Sequence, residues 1–312
     1  MHWRLPRPAT QARRKLMMLA TALVAVTLPL LLMLLAAGAS GRIDWPGQTA
    51  RQDASVSARL AGVQDTTPAT QQDCATWRAD RPLVLLVLGQ SNAGNHGEPL
   101  PGGSPAVRVM NAGACSFSVD PLPGATGRGG SVWSLLPAAL AAGRLGRPVL
   151  LQILAVDGTT VDDWVRHGSP LRQRLQDTLA ANAATGMAPD LILWQQGEAD
   201  ASAGTSPAHY TARLQGLSQQ LRNAGVSAPM LLALSTVCRS APDAALRQVI
   251  ADLTSRVRGP SLFAAGPDTD RFAPERHDGC HFSVAGRQQA AALWAQVILA
   301  HHPAAHTQIS KP

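Results

Sequence analysis

Two short segments of the sequence hold side chains that could act together as a nucleophile and its base. In Gly-Gln-Ser-Asn at 89–92, the Ser91 hydroxyl is a potential nucleophile. In 277–283, Asp278 and His281 lie three residues apart, so the carboxylate can reach one imidazole nitrogen while the other faces a nucleophile. Either segment alone is a weak signal, because a Gly-x-Ser is more often a helix N-cap and a lone histidine is usually structural. His277 has no partner at a comparable spacing.

Three further polar segments could assist such chemistry. In Trp-Gln-Gln-Gly-Glu at 194–198, Gln196 can donate from its amide, Gly197 permits a sharp turn and Glu198 can fix neighbouring groups. The other two are glycine-containing loops, at 127–133 and 157–164. Such loops mostly just turn the chain, so each is informative only in combination with the others.

The elements that must position these segments follow from the apolar pattern. Short apolar runs alternate with helical patterns, which predicts parallel strands with helices on both faces of the sheet. The predicted strands are 83–88, 148–156, 191–194, 230–235 and 262–265, with a weaker one at 106–110. The predicted helices are 134–145, 171–184, 207–223, 243–256 and 284–301. The polar segments 89–92, 157–164 and 194–198 each directly follow a strand, at the sheet edge where such folds bind ligands.

Together these segments resemble the SGNH (GDSL) hydrolase superfamily, in the branch of sialate O-acetylesterases and carbohydrate esterase family six. The resemblance spans about residues 82 to 300, which is essentially the whole folded part. The matching blocks are GQSN at 89–92, the glycine-rich 127–133, Gly-Thr-x-x-x-x-Trp at 158–164, WQQGE at 194–198 and DGCH at 278–281. The resemblance implies a three-layer α/β/α sandwich around a five-stranded parallel, flavodoxin-like sheet.

The same resemblance implies roles for individual residues. Ser91 becomes the nucleophile, His281 the general base and then acid, and Asp278 the carboxylate that orients it. The implied oxyanion hole consists of the N–H of Ser91, an N–H of Gly129 or Gly130, and the side chain of Gln196. Supporting roles fall to Gln90, Asn92, Gly197 and Glu198, with Glu198 as structural support rather than as the acid of the triad.

The implied reaction is hydrolysis of O-acetyl esters through an acyl-enzyme, with no metal or organic cofactor. The expected partner is an acetylated carbohydrate or another small acyl ester. One alternative is a lipase, thioesterase or sugar transacetylase on the same fold. The other is a non-catalytic carbohydrate-binding or envelope-assembly protein, which would have no need of Ser91, Asp278 and His281. Oligomeric state is not predicted.

The N-terminus carries an export signal. Residues 1–40 contain five basic residues, all between positions 4 and 15, and then an apolar run at 16–37 that ends in the small-residue pattern Ala37-Gly38-Ala39. This is either a cleaved signal peptide or a membrane anchor at 16–38, and it is the only membrane contact that we predict. The chain is therefore expected in the periplasm or outside the cell. We further predict a linker or stalk at 41–80, the hydrolase domain at 81–303 and a flexible tail at 304–312.

The charge of the chain does not indicate nucleic-acid binding. Five positive charges of the net +7 belong to residues 1–40, which contain no acid, so only +2 remains for the rest. No run of Lys or Arg occurs after Lys15.

Four cysteines in an exported chain favour disulfides. Cys238 follows the predicted strand 230–235, and Cys280 lies beside His281, so both belong to the same sheet edge. This predicts a Cys238–Cys280 disulfide that clamps the loop of His281, and by remainder Cys74–Cys115. The alternative is four unpaired buried thiols.

Overall fold

A computed structural model describes residues 46–65, 70–255 and 263–301. The predicted leader at 1–40 and the predicted tail at 304–312 lie outside these residues. The chain divides into two compact units, Met1–Ala54, of which only 46–54 are described, and Ser55–Pro312, which holds the sheet. No helix in the described part of the chain has the length and apolar character needed to span a membrane.

The core of the larger unit is one sheet of eight described strands, in the order β1-β4-β3-β5-β2-β6-β7-β8. The strands are β1 (Gln71–Gln72), β2 (Leu83–Gly89), β3 (Val107–Asn111), β4 (Ala114–Ser118), β5 (Val149–Ala155), β6 (Leu191–Gln195), β7 (Met230–Leu234) and β8 (Phe263–Asp268). Strands β3, β5, β2, β6, β7 and β8 are parallel to one another, whereas β4 pairs antiparallel with β3 and β1 with β4.

Apolar runs explain why β2, β5 and β6 lie at the centre of this sheet. Every residue of these three strands is buried, as expected of parallel strands that are covered on both faces. The described residues contain nine α-helices. They are α1 (Pro46–Leu60), α2 (Cys74–Ala79), α3 (Leu136–Ala142), α4 (Val161–Val165), α5 (Pro170–Ala183), α6 (Glu198–Ala203), α7 (Pro207–Asn223), α8 (Ala244–Ser255) and α9 (Val284–His301).

Alternate side chains of β2 point into two separate apolar clusters, which confirms the three-layer α/β/α sandwich. Leu85 and Val87 belong to a cluster with residues of α3 and α9, such as Leu136 and Trp294. Leu86 and Leu88 belong to a second cluster with residues of α4, α5, α7 and α8. The two-residue periodicity of a strand accounts for this division.

The sheet is larger than the predicted five parallel strands, and its order is not that of flavodoxin. The sequence pattern missed β4, whose Ala-Cys-Ser-Phe-Ser is too polar to be recognised as an apolar run. Ala112 and Gly113, both with positive φ, turn the chain from β3 into β4 at the sheet edge. The chain then returns to place β5 between β3 and β2, so the first three parallel strands run 2-3-1 rather than 2-1-3.

The stretch predicted as a linker, 41–80, contains regular structure where the structure describes it. Helix α1 and helix α2 both fall within it, and the side chains of Val56 and Trp77 are buried. Helix α1 is mostly polar and α2 is only six residues long, so the apolar period of each is weak in the sequence. The division of the chain into an export segment, a stalk and a hydrolase domain stays a prediction.

Candidate active site

Ser91 lies immediately beyond the carboxyl end of the central strand β2. Gly89 has a φ of +155°, and a Cβ at this position would collide with the carbonyl oxygen of Gln195 on β6. Only glycine lets the two strands approach so closely while the chain turns. Ser91 then opens a short 3-10 turn, Ser91–Ala93, in which the Gly94 N–H donates to the Ser91 carbonyl oxygen at 2.9 Å.

Asp278 and His281 form a bonded pair on the loop that precedes α9. The Nδ1 atom of His281 is 2.8 Å from Asp278 Oδ2. Asp278 Oδ1 accepts from two backbone N–H groups, that of His281 at 2.7 Å and that of Cys280 at 2.9 Å. These bonds fix the carboxylate against its own loop and orient the imidazole, as the three-residue spacing predicted.

The protonation preference of Asp278 follows from these contacts. Burial on its own would raise the pKa of the carboxyl group, but the backbone N–H groups of His281 and Cys280 and the imidazole of His281 outweigh it. The pKa of Asp278 is therefore held well below its ordinary value. The carboxylate stays charged next to His281, which is the state that stabilises an imidazolium.

A cleft of about 530 Å³ brings Ser91 and His281 together. Gln90 and Glu198 line it from the carboxyl edge of the sheet, and Asp157 and Arg239 line its outer walls. Its volume lies in the range of small-molecule sites. No group of three or more His, Cys, Asp or Glu side chains in the described residues is arranged to hold a metal ion.

Glu198 supports the turn of Ser91 from below. Its Oε1 accepts from Asn92 Nδ2 at 2.7 Å and from Ser235 Oγ at 2.7 Å. Burial raises the pKa of Glu198, and the nearby Arg276 guanidinium only partly opposes this effect. The preceding Gly197 has a φ of +149°, and a Cβ there would press on the Ser235 carbonyl oxygen. Glu198 thus lies in a supporting position, and among the described residues it makes no hydrogen bond to His281.

Gln196 does not face the cleft. Its amide nitrogen, Nε2, lies 3.1 Å from the carbonyl oxygen of Thr159 and 2.5 Å from Asp200 Oδ2. Its Oε1 accepts from the Tyr210 hydroxyl at 3.1 Å. Both amide hydrogens therefore have acceptors inside the protein, and this geometry does not support the oxyanion role that the sequence resemblance implied.

The two candidate glycines are engaged in the same way. The Gly129 N–H donates to the carbonyl oxygen of Asn95 at 2.7 Å. The Gly130 N–H donates to the carbonyl oxygen of Gly97 at 2.7 Å, within a small antiparallel bridge. Neither N–H is directed at Ser91. The sequence could not distinguish a glycine that faces a substrate from one that pairs with a neighbouring loop.

Gln90 lines the cleft, where the sequence resemblance had placed Gln196. Its Oε1 accepts from the Ala199 N–H at 3.0 Å, and because a backbone N–H can only donate, the amide orientation is fixed. Among the described residues, no hydrogen bond from Gln90 Nε2 is present, and the side chain lines the cleft beside Ser91. Gln90 is therefore the amide closest in sequence to Ser91 that has donor capacity to spare.

His96 is a site residue that sequence reasoning missed. Its ring stacks on that of His281 with centroids 5.3 Å apart, and its Nε2 lies 3.1 Å from Thr126 Oγ1. The pKa of His96 is lowered, mainly by burial and also by the neighbouring His281. The carboxylates of Asp157 and Asp278 oppose this shift without cancelling it. Its position five residues after Ser91 was the available signal. His277 is also near His281, with ring centroids 6.2 Å apart.

Both disulfides are present with the predicted pairing, Cys238–Cys280 and Cys74–Cys115. The first ties the loop after β7 to the loop of His281. The Arg239 N–H reinforces this connection by donating to the Gly279 carbonyl oxygen at 2.7 Å. The second joins α2 to β4 and is remote from the cleft.

The α/β/α sandwich, with its serine and histidine at the carboxyl edge of the sheet, defines an SGNH-type esterase fold. Comparison with known families narrows this class. The family "carbohydrate esterase, sialic acid-specific acetylesterase" matches residues 137–300. The chain belongs to this family, and it is a carboxylic ester hydrolase of the acetylesterase kind. No curated protein sequence matches it.

Solved structures resemble this chain at low sequence identity. A protein from Arabidopsis thaliana is 19% identical with a TM-score of 0.53, covering 70% of this chain and 98% of the other. Est24, a carbohydrate acetylesterase from Sinorhizobium meliloti, is 14% identical with a TM-score of 0.44, covering 70% and 99%. The Arabidopsis likeness supports the fold.

Proposed function

We propose that this chain is an exported carbohydrate O-acetylesterase that uses Ser91, His281 and Asp278 in a two-step acyl transfer. The observation that carries the proposal is the bonded pair of Asp278 and His281, because His281 lines the same cleft as Ser91. An ionised Asp278 holds Nδ1 of the imidazole protonated, which leaves Nε2 as the base.

The first step acylates the enzyme. Ser91 Oγ attacks the acetyl carbonyl carbon while His281 Nε2 takes the hydroxyl proton. The tetrahedral intermediate collapses as His281 returns that proton to the departing sugar oxygen. In the second step His281 takes a proton from a water molecule as its oxygen attacks the acetyl-Ser91 ester. The bond from the acetyl carbon to Ser91 Oγ then breaks, His281 returns the proton to Ser91 Oγ, and acetate leaves. Atoms and protons balance over the two steps, and no cofactor is consumed.

The oxyanion needs donors that are not already used inside the protein. The Ser91 N–H at the start of its 3-10 turn is one, since no described residue accepts from it. The Gln90 amide, oriented by the Ala199 N–H, is the second. Gln196 then acts behind the cleft, by holding the loop of Thr159 through its own amide.

The substrate class follows from the family, the character of the cleft and the sequence of the leader. The family acts on acetyl groups of carbohydrates. Polar side chains such as Asp157, Thr160 and Arg239 line part of the cleft, where they can bind the hydroxyl groups of a sugar. The leader at 1–40 would deliver the enzyme to the cell envelope, where acetylated glycans occur.

The test is acetate release from an acetylated polysaccharide, acetylated sialic acid and 4-nitrophenyl acetate. We expect release from at least one of them, and Ser91→Ala should abolish it. Ser202→Ala is the control and should retain it, because Ser202 lines the same cleft but is not the proposed nucleophile. No release from any acetyl ester by the wild-type protein would overturn the proposal. Preference for long acyl esters, or acetyl transfer to a sugar, would indicate another enzyme on this fold.

The donor assignment has its own test. Removing one oxyanion donor typically lowers kcat by ~10²–10³-fold. We expect this loss for Gln90→Ala with little change in KM, because the amide acts mainly in the transition state. An unaltered kcat in this variant would show that Gln90 is not a donor.

A further inference from the structure

A second cleft, of about 640 Å³, lies next to the first. Its walls are the last turn of α1 with the chain that follows it, and the loop around Arg128. Asp157 lines both clefts, so the two spaces adjoin at this residue. A ligand that extends from Ser91 past Asp157 would enter the second cleft.

The outer wall of this second cleft is part of the folded unit. The Gln64 N–H donates to the Ala125 carbonyl oxygen at 2.9 Å, and the Gly124 N–H donates to the Gln64 carbonyl oxygen at 2.8 Å. Ala125 is in turn bridged to Ala155 at the end of β5. Backbone pairing thus fixes the segment after α1 on the carboxyl edge of the sheet. This segment precedes residues 137–300, which the family comparison matches.

The side chains in the second cleft suit a neutral, hydroxyl-rich ligand. Arg59 and Arg128 supply fork-shaped donors, and Asp65 and Asp157 supply acceptors, so the formal charges balance. The Arg59 Nε atom is 3.9 Å from Asp157 Oδ2, with each side chain 36% exposed. That ion pair is long and solvated, so it leaves hydrogen-bonding capacity on both partners.

We propose that the second cleft binds the sugar units adjoining the acetylated one, so that the enzyme prefers an oligosaccharide or polysaccharide to an acetylated monosaccharide. This inference rests on the proposed function and specifies its substrate. Arg59 and Arg128 bind hydroxyl groups of the neighbouring sugars, while Ser91 attacks the acetyl group in the first cleft. Both arginines are specificity residues and take no part in the chemistry.

The kinetic test compares kcat/KM on an O-acetylated oligosaccharide with kcat/KM on the matching O-acetylated monosaccharide. Loss of a charged hydrogen-bond donor costs about tenfold in affinity or more. We therefore expect Arg59→Ala and Arg128→Ala each to lower the ratio of kcat/KM on the oligosaccharide to kcat/KM on the monosaccharide by about tenfold. Arg144→Ala, an exposed arginine that lines neither cleft, is the matched control and should keep the wild-type ratio. Equal ratios in all variants would overturn the inference.

A binding measurement separates this inference from the proposed function. The probe is the deacetylated oligosaccharide, titrated into the wild-type protein and the Arg59→Ala variant by calorimetry. Binding that weakens about tenfold in the variant supports the second cleft even if no acetate is ever released. Acetate release from the polymer without measurable weakening in the variant contradicts the second cleft and leaves the esterase proposal standing.

Discussion

The loop of His281 and the segment of Glu198 each place a carboxyl group beside the cleft, but with opposite protonation preferences. Asp278 accepts from two backbone N–H groups and the His281 imidazole, and its pKa is lowered despite partial burial. Glu198 is fully buried with one oxygen bonded to Asn92 and Ser235, and its pKa is raised.

The difference shows two opposing effects on the charge of a carboxyl group. Hydrogen-bond donors favour the ionised form, and burial disfavours it. Glu198 Oε2 has no hydrogen-bond partner among the described residues, so a charge there would be unsolvated. Asp278 has a donor for each oxygen. The first carboxyl can therefore orient a base, and the second can only build the turn that carries Ser91.

The largest expected effect is an asymmetry between two isosteric variants. We expect Asp278→Asn to lower kcat by ~10³–10⁴-fold, because an amide does not stabilise the imidazolium and favours the wrong tautomer. Glu198→Gln should lower kcat by less than about tenfold, because an amide keeps the acceptor for Asn92 and resembles the neutral acid. Steady-state kinetics on 4-nitrophenyl acetate measures both. Equal losses would show that Glu198 acts as a charged group.

The second prediction concerns Cys280, which joins the two regions. Its N–H donates to Asp278 and its carbonyl oxygen accepts from Asn92, and its disulfide holds it to Cys238. The two disulfides close loops of nearly equal separation, 42 and 41 residues, so losing either should cost about 2–4 kcal/mol of unfolding free energy.

Only one of these losses should affect the reaction. The double variant Cys238→Ser, Cys280→Ser frees the loop of His281, and misplacement of that loop should lower kcat by up to about 10²-fold. The matched control is Cys74→Ser, Cys115→Ser, which is remote from the cleft and should keep kcat while showing a similar drop in stability. Equal kcat in both double variants would mean that the disulfide does not position His281.

The smallest expected effect is a difference in the pH dependence of stability. The pKa of Glu198 is raised by folding, so its contribution to stability declines as pH rises from about 4.3, its unfolded value, through its folded pKa. Asp278 behaves in the opposite sense, since its contribution is present above about 3.9 and is lost as pH falls through its folded pKa.

Urea unfolding at a series of pH values measures this difference. Relative to wild type, Glu198→Gln should gain stability as pH rises, whereas Asp278→Asn should lose stability as pH rises from acid. The same sign of change in both variants would contradict the opposite pKa shifts.

Much of the fold and the triad could be predicted from the sequence. The buried strands β2, β5 and β6 are apolar except for Gln152 and Gln195, so the sequence pattern reveals them. The predicted helices 207–223 and 284–301 match α7 and α9 residue for residue. The pair of Asp278 and His281 could be predicted from the three-residue spacing between them. The pairing of Cys238 with Cys280 followed from their common sheet edge.

The features that the sequence pattern could not position depend on long-range contacts. Gln196 and Gln90 are both amides at the end of a strand. The contact of Gln196 with Asp200 directs it into the protein, and the contact of Gln90 with the Ala199 N–H orients it beside the cleft. The Gly129 N–H donates to the carbonyl oxygen of Asn95, which belongs to another loop that is distant in sequence. Strand β4 owes its place to the hairpin with β3 rather than to apolar residues.

The most direct test of the account is labelling of the protein with a fluorophosphonate probe, followed by peptide mass mapping. The account predicts one adduct, on Ser91, that is absent in Ser91→Ala and forms far more slowly in His281→Ala. An adduct on another serine, or unchanged labelling of Ser91 without His281, would contradict a nucleophile at Ser91 that is activated by His281.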